Sequence, residues 1–75
     1  MRAPWSLRVV VYASGDNPKA MQRQLAKHAA AFMRSEHVKM ERQMSAAIAK
    51  AIEDNKDLPP GRHELVLQPV EGMAT

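Results

Sequence analysis

Four side chains in the middle of the chain have the types and spacing of a site for a soft metal ion. Met33, His37, Met40 and Met44 recur at three- to four-residue intervals, which places them on one side of a helix. Thioether and imidazole groups are ligands that cuprous ion accepts. A single helix gives the wrong geometry for such a site, and methionine is a common filler of cores and interfaces. We therefore expect these residues to pack, and we predict no metal site and no cofactor.

A second set of residues consists of basic side chains that could bind a negatively charged partner. The net charge is +3, and residues 1–34 carry six basic side chains against Asp16 alone. Each cation can contact a phosphate or a carboxylate, so this half of the chain predicts a surface that binds nucleic acid or a protein partner, with a solvated face as the alternative. The residues predicted for that surface lie on one side of a helical segment: Lys19, Arg23, Lys27 and Arg34.

The sequence contains no arrangement of residues that favours catalysis. His63 and Glu64 are an adjacent base and acid, but neighbours in a strand point to opposite faces and cannot act on one substrate. Residues 14–18 ("SGDNP") lack the Lys-Ser/Thr signature of a phosphate-binding loop. We therefore predict that the protein is not an enzyme and has no catalytic residue.

Two short segments near the ends of the chain predict β-strands. Residues 7–13 ("LRVVVYA") are rich in β-branched side chains. In residues 62–68 ("RHELVLQ"), Leu65 and Leu67 share one strand face, and Glu64 and Val66 share the other. Residues 70–75 are expected to form a flexible tail. At this length we expect a single domain over residues 1–75, and we place it in the α+β class.

The segment between the strands predicts one long helix. The chain has no glycine or proline between Pro18 and Pro59, and it is filled with strong helix formers. The apolar positions keep one helical phase through this segment, and no capping box interrupts it at Ser35. Asn55 and the two prolines that follow it are typical of a helix end. We therefore predict a single helix over residues 18–54.

This strand–long helix–strand arrangement predicts self-association. The helix would be about 55 Å long, whereas each strand covers only about 23 Å. The uncovered apolar stripe is expected to pack against the same helix of a second copy, giving a helix-paired homo-oligomer, in the simplest case a dimer. The predicted interface consists of Met33, Met40, Met44, Ile48 and Ile52. The strands pair either in parallel within one chain or with strands of the second copy in a small intersubunit sheet.

Residues 7–54 resemble the ribbon-helix-helix family of DNA-binding proteins. The likeness lies in the strand "LRVVVYA", in the helix that starts at Pro18, and in "RSE" at residues 34–36, which opens a second helical run. In that family two chains pair their first strands and place outward strand residues in the major groove. The resemblance implies that role for Arg8, Val10 and Tyr12. The chain departs from the family because it has no glycine-containing turn between helices and because another strand follows.

Composition restricts the compartment and the class of function. The chain has no cysteine, which fits a reducing compartment. It has no visible secretory signal and no apolar run long enough to cross a membrane, so we expect a cytoplasmic protein without membrane contact. We predict a non-enzymatic homo-oligomeric interaction module that binds a host protein, of the kind with which phages and mobile elements inhibit a host factor. Nucleic-acid binding by the basic helix face and capture of a small anionic ligand between subunits are the alternatives.

Overall fold

The fold is a two-stranded antiparallel sheet packed on two helices. A computed structural model describes residues 5–14 and 17–70. Its elements, in chain order, are β1 (Leu7–Ala13), α1 (Asn17–Glu36), α2 (Glu41–Asp54) and β2 (Gly61–Leu67). The predicted α+β class is confirmed. β1 has the bounds predicted for the first strand, and β2 begins and ends one residue earlier than predicted. Residues 71–75 of the predicted tail lie outside the described residues.

The prediction of one helix over residues 18–54 is wrong, because α1 ends before His37. This residue has a left-handed backbone conformation, with φ at 56°. The N–H of Val38 donates to the carbonyl oxygen of Met33 at 3.0 Å, and the N–H of His37 donates to that of Arg34 at 3.4 Å. The two bonds form the Schellman pattern that satisfies the last carbonyls of a helix. Histidine enters the left-handed region more often than most other residues do, so this helix ends without a glycine.

The second helix reverses the chain, so the two strands run antiparallel within one chain. Leu7 lies opposite Leu67 at one end of the ladder, and Ala13 lies opposite Gly61 at the other. The parallel crossover that a single helix would require is therefore not formed. The longest dimension of the Cα trace is 34 Å, well below the about 55 Å expected for the predicted rod.

The core lies between one face of the sheet and the facing sides of both helices. Burial of this apolar surface is the main stabilising term for a chain without disulfides. Trp5 packs against the core, where its ring centre is 6.3 Å from that of Phe32. Its Nε1 donates to Oε1 of Gln43 at 2.9 Å, which ties the start of the sheet to α2. The buried cluster consists of Val9, Val11, Met21, Leu25, Ala47, Ala51, Leu65 and Leu67.

We predict that His37→Gly raises the free energy of unfolding by about 0.5–1 kcal/mol. Glycine removes the left-handed strain, which exceeds the extra chain entropy that glycine loses on folding. A glycine within a continuous helix would instead lower stability by about 1 kcal/mol. Urea denaturation of the variant and the parent protein measures the sign of this change.

The matched control for this prediction is Ala30→Gly, at an exposed position inside α1. It should lower the free energy of unfolding by about 1 kcal/mol, because the position is helical on both sides. If His37→Gly were as destabilising as Ala30→Gly, the left-handed turn between the helices would be contradicted.

Candidate functional site

The five residues predicted for a helix-paired interface do not form one stripe. Met44 is only 2% exposed because it lies in the core of its own chain, so it is not open to a second copy. Met33 and Met40 meet at the turn between the helices, where the N–H of Met40 donates to Sδ of Met33 at 3.4 Å. Ile48 and Ile52 are half-buried and border a shallow groove between α1 and α2. The overhanging stripe that suggested helix pairing is absent, and an interface at the four half-buried residues stays a prediction.

The four predicted cationic residues lie together on α1. Lys19, Arg23, Lys27 and Arg34 are all exposed, on the side of the helix away from its buried residues. Within residues 5–14 and 17–70, none of them forms an ion pair with a carboxylate. The first and last are about 22 Å apart along the helix axis. Together they form a row of positive charge that is open to solvent.

The soft side chains considered as metal ligands are divided between the turn and the core. His37 is exposed at the turn, whereas Met44 is buried, and the thioether of Met33 already accepts a backbone hydrogen bond. Across the described part of the chain, no group of three or more His, Cys, Asp or Glu side chains is placed to hold a metal ion. Met44 packs in the core, and Met33 and Met40 are half-buried at the turn.

The outward sheet face, which the helices leave open, carries exposed apolar side chains. Tyr12 is 59% exposed and Val66 is 51% exposed, and Val10 lies between them on the same face. The resemblance noted above pointed to the β1 half of this surface. The β2 half could not be found from the sequence, since it depends on how the strands pair. The outward sheet face consists of Arg8, Val10 and Tyr12 of β1 and Arg62, Glu64 and Val66 of β2.

Two arginines flank one carboxylate on the outward sheet face. Nε of Arg8 is 3.6 Å from Oε1 of Glu64, and Nη2 of Arg62 is 3.7 Å from Oε2 of the same residue. The three side chains are 47–77% exposed, so solvent screens both pairs and each adds little to stability. The face therefore carries two guanidinium groups and one carboxylate, which gives it a net positive charge.

The two edges of the sheet differ, because a side chain from α1 occupies the edge of β1. The N–H of Tyr12 donates to Oε1 of Gln24 at 2.8 Å, and Nε2 of Gln24 donates to the carbonyl oxygen of Tyr12 at 2.9 Å. A residue of a neighbouring strand would make the same pair of bonds, so Gln24 blocks strand addition there. Nε2 also donates to the carbonyl oxygen of Ala20 at 3.2 Å. No described side chain is bonded in this way to the outer edge of β2.

We predict that Gln24→Glu lowers the free energy of unfolding by about 1 kcal/mol at pH 7. A carboxylate still accepts a hydrogen bond from the N–H of Tyr12, but it cannot donate one to the carbonyl oxygen of that residue. The matched control is Gln22→Glu, which makes the same charge change at an exposed position of the same helix. Urea denaturation compares the two variants. An equal loss of stability in both would mean that the amide does not hold the strand edge.

Neither a protein-family model, nor a curated protein, nor a solved structure matches this chain. Over residues 17–70, no helix has the length and apolar character needed to cross a membrane. β2 pairs with one side of β1 and Gln24 occupies the other side at Tyr12, so the first-strand pairing implied by the ribbon-helix-helix resemblance is blocked at that residue. Two exposed surfaces of the described residues have the chemistry to bind a partner: the outward sheet face and the cationic row of α1.

Proposed function

We propose that the protein is a non-enzymatic, self-associating interaction module that binds a protein partner through the outward sheet face. The observation that carries this proposal is the exposure of Tyr12 and Val66 on a sheet whose other face is covered by helices. Apolar side chains on strand positions are held in place by the backbone, and they gain free energy when a partner removes them from water. Tyrosine and arginine are also enriched at the energetic centres of protein interfaces.

The charges around this face define the kind of partner that fits it. Arg8 and Arg62 outnumber Glu64 on the face, and the whole chain has a net charge of +3. A complementary partner would present apolar side chains to Tyr12 and Val66 and carboxylates to Arg8 and Arg62. We expect from the sequence that the partner is a host factor and that the protein comes from a phage or mobile element. Both statements stay predictions.

We predict that Tyr12→Ser combined with Val66→Thr abolishes capture of the native protein partner. Both side chains are exposed, so the double variant should keep its fold while it loses the two exposed apolar side chains of the face. Affinity capture from the source cells, followed by mass spectrometry, compares the variant with the parent protein. Circular dichroism checks that the fold is retained.

The matched control for the partner experiment is Val38→Thr. Val38 is 37% exposed at the turn between the helices and lies outside the outward sheet face. It should leave the captured proteins unchanged. The proposed face would be wrong if a protein captured by the parent were retained by the double variant, or were lost equally in the control.

A second candidate function is nucleic-acid binding by α1. The observation that favours it is the row of four exposed cations, which has no carboxylate partner among the described residues. Such a row suits contact with phosphates, whose strength falls steeply with salt because counterions are released. Trp5 and Phe32 pack against each other, so α1 offers no aromatic platform for base stacking. Binding of this kind would depend on the phosphate charge of the nucleic acid and not on its base sequence.

If α1 binds nucleic acid, Arg23→Glu combined with Lys27→Glu should abolish binding to random duplex DNA at about 50 mM salt. The matched control, Lys39→Glu with Arg42→Glu, makes the same change in net charge at exposed positions outside α1. Neither residue has a carboxylate partner among the described residues. Fluorescence anisotropy over a salt series measures both variants and the parent. Equal losses of DNA affinity in the two variants would mean that only the net charge of the chain matters. A parent protein that does not bind DNA at about 50 mM salt would exclude nucleic-acid binding by α1.

A further inference from the structure

The outer edge of β2 presents backbone groups that point away from the sheet. Because the N–H and the C=O of Tyr12 both bond to Gln24, the Tyr12–Arg62 pair is a non-hydrogen-bonded pair of the ladder. Arg62 therefore directs its own N–H and C=O away from β1. Alternation along the strand gives Glu64 and Val66 the same direction. These three residues form an edge on which another strand can pair.

Nothing in the described part of the chain closes this edge. β2 contains no proline, so each of its outward positions keeps an N–H donor. A shallow groove lies between the strand and α2, and its lining includes Ala47, Ala51 and Leu65. The short alanine side chains leave space beside the strand. The contrast with β1, where Gln24 occupies the edge, makes β2 the side on which the sheet is open to extension.

We propose that the occupant of this edge is β2 of a second copy of the chain. The two strands pair antiparallel about a two-fold axis, which gives a four-stranded sheet in the order β1, β2, then β2 and β1 of the second copy. The axis passes between the two His63 residues. In this register Arg62 lies opposite Glu64 of the second copy, and the symmetry makes this pairing twice.

Charge complementarity favours this register over the registers shifted along the strand. A shift that centres the axis on Glu64 would place two carboxylates opposite each other, which destabilises a strand pair. A further shift in the same direction would place Glu64 opposite Val66 and would leave Arg62 without an acidic neighbour in the second copy. Within one chain, the ion pairs of Glu64 are exposed and weak, so they can rearrange to include the second copy at little cost.

This inference rests on the self-association in the proposed function, but not on the partner that the outward sheet face would bind. Strand pairing uses the edge of β2 and leaves that face open, so the dimer would carry two copies of the face on one continuous sheet. If the chain does not dimerise, binding of a protein partner can still be tested with Tyr12→Ser combined with Val66→Thr. If no partner is captured, dimerisation can still be tested by measuring the molecular mass.

The first experiment is a charge swap read out by molecular mass. Sedimentation equilibrium of the parent protein at about 100 µM, where a micromolar dissociation constant gives mostly dimer, should yield twice the 8.4 kDa of one chain. Arg62→Glu alone and Glu64→Arg alone should each raise the dissociation constant about tenfold or more, because like charges then oppose each other twice. The double variant Arg62→Glu with Glu64→Arg should restore the dimer, since opposite charges again face each other.

The second experiment uses the absence of cysteine in the chain to test the register. In the proposed pairing the two copies of residue 63 form a non-hydrogen-bonded pair with Cα atoms about 4.5 Å apart, which a disulfide can bridge. His63→Cys should therefore form an intermolecular disulfide under mild oxidation. The matched control is Val66→Cys, at an exposed position of β2 outside the Arg62–Glu64 pairing. Its two copies would lie about 20 Å apart, beyond the reach of a disulfide.

Circular dichroism of every variant confirms that the chain is folded before its mass or cross-linking is interpreted. The inference is overturned by a parent protein that stays at 8.4 kDa, by a double charge swap that does not restore association, or by faster cross-linking of Val66→Cys than of His63→Cys. It is supported by loss of association in both single reversals, recovery in the double variant, and cross-linking at position 63 alone.

Discussion

The left-handed backbone at His37 is the constraint on which the rest of the structure depends. It closes α1 with two backbone hydrogen bonds and lets α2 return along the sheet. Without that reversal, Met44, Ala47 and Ala51 would be carried away from Val9 and the rest of the core. Because the chain returns, β2 lies antiparallel to β1 and completes the sheet. The backbone conformation of His37, which lies outside the helices and strands, therefore determines where α2 and β2 lie.

The parts of the fold that local pattern determines could be predicted from the sequence. The β-branched run of residues 7–13 and the shared face of Leu65 and Leu67 predicted both strands. The spacing of Lys19, Arg23 and Lys27 placed the cations on the exposed side of a helix. The end of α1 could not be predicted, since residues 33–40 contain no glycine or proline and keep the apolar phase of a helix. A left-handed histidine costs about 1–2 kcal/mol locally, and burial of Met44 and its neighbours offsets this cost. That burial depends on contacts distant in sequence, which local residue patterns do not reveal.

The outward sheet face originates in the geometry of the strands. Alternation along each strand sends Val9, Val11 and Leu65 into the core and, by the same rule, sends Tyr12 and Val66 to the outside. Half of the outward sheet face comes from each end of the chain, so it exists only in the folded protein. The asymmetry of the edges has a different origin. It arises because α1 lies close enough to β1 for the amide of Gln24 to act as a substitute strand residue.

The pairing of the first strand with the last also has a kinetic consequence. β1 and β2 lie at opposite ends of the described chain, so the sheet forms only after a loop of nearly the whole domain has closed. The two helices and the turn between them involve near neighbours, which makes them the natural early step in folding. During synthesis, the apolar run of β1 leaves the ribosome first and has no strand to pair with until β2 follows. A slowly translated message would therefore prolong the interval in which that run is free to aggregate.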